Sequence, residues 1–364
     1  MSTKKRQSRK KGVAQATAVD LFCGAGGLTR GLLNAGIPVA AGYDIDSACK
    51  FAYEHNNKGA IFYEKSVAEL SGHKLAEHYP KNHTRILVGC APCQTFSKYT
   101  QGLDNDDDPK WHLLGEFARL VVELKPSIVS MENVPELQRH DIFDDFLNTL
   151  TQEGFYFSKD ADKRIIYCPD YGIPQHRRRV VILASKFGSI EIIPPTHKLD
   201  RYQNVSDFLS DLPPLAAGDV CDDDPLHRTS VLSSMNLRRI RASKPGGTWR
   251  DWPKELVVNC HKEETGWSYP SVYGRMRWDR PSPTITTQFY GFGNGRFGHP
   301  EQDRGISLRE GAILQSFPKC YEFVKPGDKY CFKAIGRMIG NAVPVRLGEI
   351  IGKSIYQHLI EHHF

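Results

Sequence analysis

Short apolar runs alternate with longer amphipathic stretches along the first half of the chain. The runs at 17–22, 38–44, 85–89, 127–133 and 179–185 are typical of buried strands. Residues 28–36 and 111–125 carry apolar side chains at helical spacing, and the second stretch ends before Pro126. Strands that alternate with helices predict an α/β fold with a doubly wound, mostly parallel sheet.

The pattern changes near residue 188. Proline and aspartate crowd the segments "IIPPTHK" and "DLPPLAAGDVCDDDP", and the alternation of strands with helices is lost. Residues 334–359 regain a strong helical period, and a helix there would pack back on the first domain. We therefore predict a basic disordered tail at 1–16, a main domain at 17–189 plus 330–364, a smaller domain at 190–316 and a hinge at 317–329.

Length and composition narrow the class of protein. With 364 residues and 40% apolar content, the chain can build more than one compact unit. No run of 18 apolar residues occurs, and no apolar segment follows the basic N-terminal residues, so we expect neither a membrane span nor a secretory signal. Nine cysteines, an odd number scattered along the chain, favour a reducing cytoplasmic location over a disulfide framework.

The excess of positive charge lies at the N-terminus. The formal net charge is +6, and residues 1–12 carry six lysines and arginines without an acidic residue. Such a tail is either a disordered solubilising segment or a loose arm that binds nucleic-acid phosphates. The tail alone does not establish binding to DNA.

A glycine-rich turn follows the first predicted strand. In "DLFCGAGGLTRGL" (20–32), glycines allow the backbone to approach a ligand, and the helix that begins there offers free N–H groups. About twenty residues later Asp44 ends the second strand, where a carboxylate suits a ribose diol. Together the two features predict a nucleoside cofactor of unspecified kind, and a helix-capping aspartate is the alternative interpretation of Asp44.

Two cysteines stand close together in "VGCAPCQTFS" (88–97). Cys90 and Cys93 allow a redox pair, half of a zinc site or a single reactive thiol. No second Cys-x-x-Cys follows, and the adjacent Cys260 and His261 have the wrong spacing for zinc. We therefore expect no metal site. Cys93 is predicted to be a lone reactive thiol, with Cys90 as a small apolar filler at the strand end.

Charged residues flank two further strands. Glu132, in "MENVPEL", ends a strand at the same sheet edge as the Cys93 loop, and a buried glutamate there can donate a proton to a ring nitrogen. Arg177 and Arg179 alternate at the start of the next strand. They either face a phosphate or a base carbonyl, or they are solvated charges at the strand edge.

Eight segments stand in a fixed order: "DLFCGAGG", "YDID", "GCAPCQTFS", "MENV", "YGIPQHRRRV", "DRPSPTIT", "HPEQDRGISLREGAILQSFP" and "IGNAVP". In this order they resemble the motifs of DNA cytosine-5 methyltransferases of the bacterial restriction–modification type, from Ala18 to Leu359 except for the variable middle. The resemblance implies a Rossmann-like, S-adenosylmethionine-dependent methyltransferase sheet and a smaller target-recognition domain at 190–316. It also implies methylation of C5 of a cytosine in a specific double-stranded DNA sequence, after the base is flipped out.

The family's functional roles map onto individual residues of this chain. The resemblance implies that Cys93 adds to C6 of the cytosine, that Glu132 holds and protonates N3, and that Arg179 with Arg177 binds O2 and neighbouring groups. The residues that match the family's binding site for S-adenosyl-L-methionine are Phe22, Gly24, Gly26, Gly27, Asp44, Ile45, Ser66, Val67, Pro92, Asn341 and Val343. Ile45 stands where the family often has tryptophan, Ser66 where it usually has aspartate, and Cys90 where it usually has glycine.

DNA contacts are expected from two regions. Residues 98–112 match the family's mobile loop that closes over the flipped base, and the stretch between 226 and 250 is basic and lacks acidic residues. The expected DNA-binding residues are Gln94, Ser97, Arg238, Arg239, Arg241, Lys244 and Arg250. We expect a monomer that acts on double-stranded DNA, with a cognate restriction endonuclease encoded nearby. The alternatives are a tRNA cytosine-5 methyltransferase of the same fold and a catalytically silent DNA-binding homologue.

Overall fold

A single mixed sheet forms the centre of the protein. The computed structural model describes residues 15–92, 112–263, 266 and 270–363. Within them the strands are β1 Ala16–Leu21, β2 Val39–Asp44, β3 Ile61–Glu64, β4 Thr84–Gly89, β5 Ile128–Asn133, β6 Tyr156–Phe157, β7 Ile165–Tyr167 and β8 Arg178–Ser185. Their order is β3-β2-β1-β4-β5-β8-β6, with β7 paired to the first residues of β8. Strands β1 to β5 are parallel, whereas β6, β7 and β8 add an antiparallel edge.

Helices cover both faces of the sheet. They are α1 Gly27–Asn34, α2 Lys50–Asn56, α3 Gly72–Ala76, α4 His112–Leu124, α5 Asp141–Gln152, α6 Ser206–Leu209, α7 Ser234–Ala242, α8 Leu308–Leu314, α9 Phe332–Asn341 and α10 Val345–His363. Alternate strand residues separate into two core clusters, one packed on α1 and α8–α10 and the other on α3–α5. No helix in the described ranges is long and apolar enough to cross a membrane. The fold is therefore the α/β architecture that the alternating pattern predicts.

The five strands predicted from apolar runs are confirmed, each to within one residue at either end. All five are buried along most of their length, which is why a continuous apolar run marks them. Strands β3, β6 and β7 were not predicted. They have two to four residues each and lie toward the sheet edges, where a short and partly exposed strand leaves no clear pattern.

The helical period at 334–359 corresponds to two helices. Helix α9 ends at Asn341, and Ala342 is extended, because Pro344 cannot donate a backbone hydrogen bond and disfavours helix before it. Helix α10 then packs back on α1 through small residues. A Cβ atom at Gly31 would lie 2.4 Å from the backbone nitrogen of Glu349, so glycine is required for the two helices to approach this closely.

The region from 190 to 316 is mostly irregular and has a small core of its own. Ile240 of α7 packs there with Trp249, Trp252, Leu256 and Phe292. Other parts of the region, including Val205, Leu226 and Phe297, join the core cluster on the α1 face of the sheet. Phe317, Tyr321 and Phe323, from the segment predicted to be a hinge, belong to that same cluster.

A buried ion pair fixes the loop that precedes α8. The Arg304 guanidinium donates to both carboxylate oxygens of Glu310 at 2.7 Å, and the two side chains are almost completely buried. The Ser307 hydroxyl caps α8, and Glu310 in turn accepts from the Ser307 backbone N–H. Burial alone would raise the pKa of Glu310, but the hydrogen bonds and charge of Arg304 outweigh burial and lower the pKa to about 2.

We predict that Glu310→Gln destabilises the fold by about 3–5 kcal/mol, because it leaves the Arg304 charge buried without its partner. Asp279→Asn, which removes one partner of the exposed pair with Arg277, should leave the free energy of unfolding nearly unchanged. Denaturant unfolding at pH 7 measures the free energy of unfolding of the two variants. The carboxylate of Glu310 stabilises the native protein above its unfolded-state pKa of about 4.3, and this contribution is lost as the pH falls through about 2. Equal stability of the two variants would contradict the prediction.

Candidate active site

The predicted site residues gather at one edge of the sheet. The carboxyl ends of β1 to β5 meet the start of β8 there, because β8 runs antiparallel to β5. The residues that lie at this edge are Phe22, Gly24, Gly26 and Gly27 after β1, Asp44 and Ile45 at the end of β2, Ser66 and Val67 after β3, Pro92 after β4, Glu132 in β5, and Arg177 and Arg179 at β8. The fold thus brings residues from six strand ends into one neighbourhood.

Glu132 is the buried acid of this edge. Its side chain is 2% exposed, and Arg179 Nε lies 3.0 Å from Glu132 Oε1. The Cys90 thiol donates to Glu132 Oε2 at 2.7 Å, a polar contact that the interpretation of Cys90 as an apolar filler did not include. No donor in the described part of the chain is aligned for a hydrogen bond to Glu132 Oε1. The carboxylate is therefore held in place while one oxygen remains available as an acceptor.

Arg177 lies behind this pair and is nearly inaccessible to solvent. Its guanidinium makes long hydrogen bonds, 3.4 Å each, to the carbonyls of Ile285 and Ala342. Burial, together with the neighbouring charge of Arg179, lowers the pKa of Arg177 to about 10. Arg177 therefore connects the strand to the segment after α9, whereas Arg179 is the arginine that contacts Glu132.

Two buried glutamines, which sequence reasoning missed, strengthen this connection. Gln175 Nε2 donates to Gln315 Oε1 at 2.9 Å, and Gln175 Oε1 accepts from the Ile285 N–H at 3.0 Å. Gln315 Nε2 donates to the Ile339 carbonyl at 2.7 Å. Gln175, Arg177 and Arg179 follow one another at intervals of two residues, which places their side chains on one side of an extended segment. This spacing could have indicated Gln175 as a site residue. Gln315 carried no comparable signal.

The glycine-rich turn is shaped by its neighbours. Phe22, Gly24 and Gly26 all have positive φ angles, of 59°, 50° and 88°. A Cβ atom at Gly27 would lie 2.3 Å from the carbonyl oxygen of Val343, so the turn and the segment after α9 are in direct contact. Asn341 is exposed at the end of α9, and Val343 is buried. The first and last segments of the expected cofactor site thus meet at Gly27.

Asp44 and Ile45 differ sharply in exposure. One Asp44 oxygen accepts from the Gly24 N–H at 2.8 Å and the other from the Asp46 N–H at 2.9 Å. Burial raises the pKa of Asp44. Ile45 is 73% exposed although it is a large apolar residue, and Asp46 next to it pairs with Arg337 of α9 at 2.6 Å. Asp44 keeps further acceptor positions, and Ile45 offers an apolar surface beside it.

A buried polar cluster supports the turn from below. Asp20 accepts a hydrogen bond from the Thr29 hydroxyl at 2.7 Å, and the Thr29 hydroxyl also shares a hydrogen bond with the Tyr53 hydroxyl. Burial raises the pKa of Asp20 to about 7. Tyr321 donates to the Ala25 carbonyl at 2.5 Å and thereby ties the segment after α8 to the turn.

The remaining cofactor candidates lie nearby, whereas the catalytic candidate Cys93 and two DNA-binding candidates lie outside the described residues. Ser66 caps a short 3-10 turn by accepting from the Ala68 N–H at 3.3 Å, and Val67 is buried in that turn. Pro92 follows Ala91, whose carbonyl accepts from Asn133 at 3.2 Å. Cys93, Gln94 and Ser97 fall outside the described residues, and so does the expected mobile loop except for its last residue.

The basic residues expected to bind DNA differ in their exposure and in the contacts that they make. Arg238 and Lys244 are exposed and make no ion pair with other described residues, and Arg250 is exposed above the Trp249 ring. Arg239 is instead directed inward, where it donates to the Leu256 carbonyl at 2.9 Å and to Asn236. Arg241 pairs with Asp303 at 3.1 Å on the surface. The exposed residues lie on or just after α7.

Arg275 fixes the end of α7. Its Nε donates to the carbonyls of Ile240 and Ser243, and its terminal nitrogens donate to the His299 carbonyl and to Asp303. Asp303 also pairs with Arg241. The orientation of the basic helix is therefore set by a buried guanidinium.

Comparison with known proteins identifies relatives along nearly the whole chain. A family model described as C-5 cytosine-specific DNA methylase matches residues 16–357. The chain is 53% identical over 344 residues to the Type II methylase M.HgiDII of Herpetosiphon aurantiacus, which covers 94% of this chain and 95% of that protein. It is 30% identical to the Type II methyltransferase M1.HphI of Haemophilus parahaemolyticus, and this match covers 93% of this chain and 86% of that protein. A solved Escherichia coli structure, described as a candidate prophage-encoded DNA modification methyltransferase, shares the fold with a TM-score of 0.72 at 22% identity. The match covers 95% of this chain and 99% of that chain.

We predict that Asp44→Ala weakens binding of S-adenosylmethionine by about 1.5–3 kcal/mol, because the variant lacks a charged acceptor at the end of β2. Asp145→Ala, on the exposed surface of α5, removes an equal charge outside the proposed cofactor site and serves as the control. Calorimetric titration of each variant measures the affinity. An unchanged affinity in Asp44→Ala would remove Asp44 from the cofactor site.

Proposed function

The chain belongs to the C-5 cytosine-specific DNA methylase family, and we propose that it methylates a flipped-out cytosine in a specific double-stranded DNA sequence through covalent addition of Cys93. Enzymes of this family are S-adenosylmethionine-dependent methyltransferases. The single observation that best supports the proposed mechanism is the buried Glu132 at the carboxyl end of β5, paired with Arg179.

The geometry of Glu132 and Arg179 suits recognition of a cytosine edge. Glu132 Oε1 faces the Arg179 cation but accepts no aligned hydrogen bond from the described residues, so this oxygen can still accept one from a ligand. The N3 position of cytosine, once protonated, is a donor to a carboxylate. Arg179 is 14% exposed and carries donors that suit the adjacent O2 carbonyl. The pair therefore matches two neighbouring atoms of one base.

The reaction that we propose moves electrons from sulfur into the ring. The Cys93 thiolate adds to C6 while N3 takes up a proton that Glu132 has first accepted from solvent, so the ring becomes an enamine that is nucleophilic at C5. Bound S-adenosylmethionine supplies the methyl group that forms the new bond at C5. A base then takes the C5 proton, the C5–C6 double bond returns as the Cys93 thiolate leaves, and N3 gives its proton back to Glu132.

The cofactor pocket that we propose lies between the glycine-rich turn and the segment after α9. Asp44 would accept from the ribose hydroxyls, and the exposed Ile45 would cover the adenine ring. The contact between Gly27 and Val343 supports a site built from both ends of the chain. Ser66 is the weakest match, since its hydroxyl already caps a turn.

Recognition of DNA is assigned to the small core around α7. Arg238, Lys244 and Arg250 are exposed there and suit phosphate or guanine contacts. Arg239 is assigned a structural role instead, because its guanidinium is used within the small core. A monomeric state, a cytoplasmic location and a companion restriction endonuclease stay predictions from the sequence.

Trapping on DNA that carries 5-fluorocytosine tests the mechanism. Fluorine cannot leave C5 as a cation, so after methyl transfer the attacking sulfur stays bonded to C6. We predict a covalent complex that requires S-adenosylmethionine and that peptide mapping assigns to Cys93. The sequence to place in the duplex is found first by bisulfite sequencing of DNA methylated by the wild-type protein.

Controls separate this proposal from its alternatives. Cys93→Ser should form no complex, whereas Cys320→Ser, which changes an exposed thiol, should trap normally. An adduct on a residue other than Cys93 would refute the catalytic assignment. Methylation of tRNA without methylation of duplex DNA would refute the substrate.

A further inference from the structure

We infer that Cys90 is a positioning residue for the methyl-transfer reaction, because its thiol holds the Glu132 carboxylate in the orientation that binds cytosine. This inference rests on the proposed function of Glu132. It gives a role to a cysteine that the sequence analysis treated as a small apolar filler.

The contacts around Cys90 place its side chain against the acid. Cys90 follows β4 directly, and its backbone N–H lies 3.4 Å from the Leu21 carbonyl. Its thiol donates to Glu132 Oε2 at 2.7 Å, a contact made possible because β4 and β5 are neighbouring strands. Glu132 Oε1 faces Arg179 Nε at 3.0 Å. The two oxygens of one carboxylate thus have different neighbours, a neutral donor and a cation.

This asymmetry restricts the last torsion of the glutamate side chain. A carboxylate rotates over a broad range about its terminal bond, so a single ion pair does not define its plane. A donor on Oε2 adds a second point of attachment, and Oε1 is then the oxygen left for the base. Each oxygen can accept more than one hydrogen bond, so cytosine can bind without displacing the thiol. The expected benefit is preorganisation of the acid before the base arrives.

An inert filler and a positioning donor predict different effects of substitution. A filler tolerates alanine, which occupies similar space without a polar atom. If Cys90 acts as a donor, serine can replace it because its hydroxyl can also donate to Glu132 Oε2. Alanine cannot replace it, because the hydrogen bond is then lost. Glycine is a third case, because it leaves room for a water molecule that can donate in place of the thiol.

The experiment measures single-turnover methyl transfer by the full-length protein on its target duplex. We expect Cys90→Ala to slow the transfer step about tenfold, because a small misplacement of a catalytic group is costly. Cys90→Ser should remain within about threefold of wild type, and the affinities for DNA and S-adenosylmethionine should hardly change in either. Cys221→Ala is the matched control, since Cys221 is partly buried like Cys90 and its backbone N–H donates to the His227 carbonyl, outside the catalytic edge.

Each outcome decides the question. A slow Cys90→Ala with a fast Cys90→Ser and an unaffected Cys221→Ala supports the inference. Normal transfer by Cys90→Ala overturns it, and so does an equal loss in the alanine and serine variants, which would indicate packing rather than donation. A loss confined to the affinity for DNA also overturns it. Failure of the wild-type protein to methylate duplex DNA would instead refute the proposed function.

Discussion

The ion pair between Glu132 and Arg179 is the interaction on which the account of this site depends. Burying a carboxylate costs roughly several kcal/mol in lost hydration unless a nearby cation compensates for it. Here β8 runs antiparallel to β5, so the start of one strand lies beside the end of the other. That topology brings Arg179 within 3.0 Å of Glu132 without a long loop. The antiparallel strand of the sheet therefore supplies the cation that the buried acid needs.

The rest of the edge is held together by contacts between distant parts of the chain. Gly27 touches Val343, Tyr321 donates to the Ala25 carbonyl, and Arg177 reaches the Ala342 carbonyl. Each contact joins the glycine-rich turn or β8 to the last fifty residues. In the proposed function the cofactor and the base meet at this edge of the sheet, and these contacts join the two parts of the chain that form it. They also explain why the segment after α8 packs in the main core.

Regular and strongly patterned features could be predicted from the sequence. The five long strands follow from apolar runs, and the positions of Asp44 and Glu132 follow from the strand ends where ligands bind in such sheets. Side-chain contacts across the fold could not be predicted in the same way. The thiol of Cys90 meets Glu132 only because β4 and β5 are neighbours, and Gln175 meets Gln315 across 140 positions. The inward direction of Arg239 depends on the small core around α7, which no periodic pattern marks.

A double-mutant cycle on the rate of methyl transfer tests the central claim most directly. It compares Glu132→Gln, Arg179→Met and the combined variant in single-turnover assays with saturating DNA and cofactor. If the two groups act as one unit on the base, the double variant should be hardly slower than the slower single variant. The coupling free energy should then be about 2 kcal/mol or more. Additive losses, with a coupling near zero, would show that Glu132 and Arg179 act independently and would contradict the account.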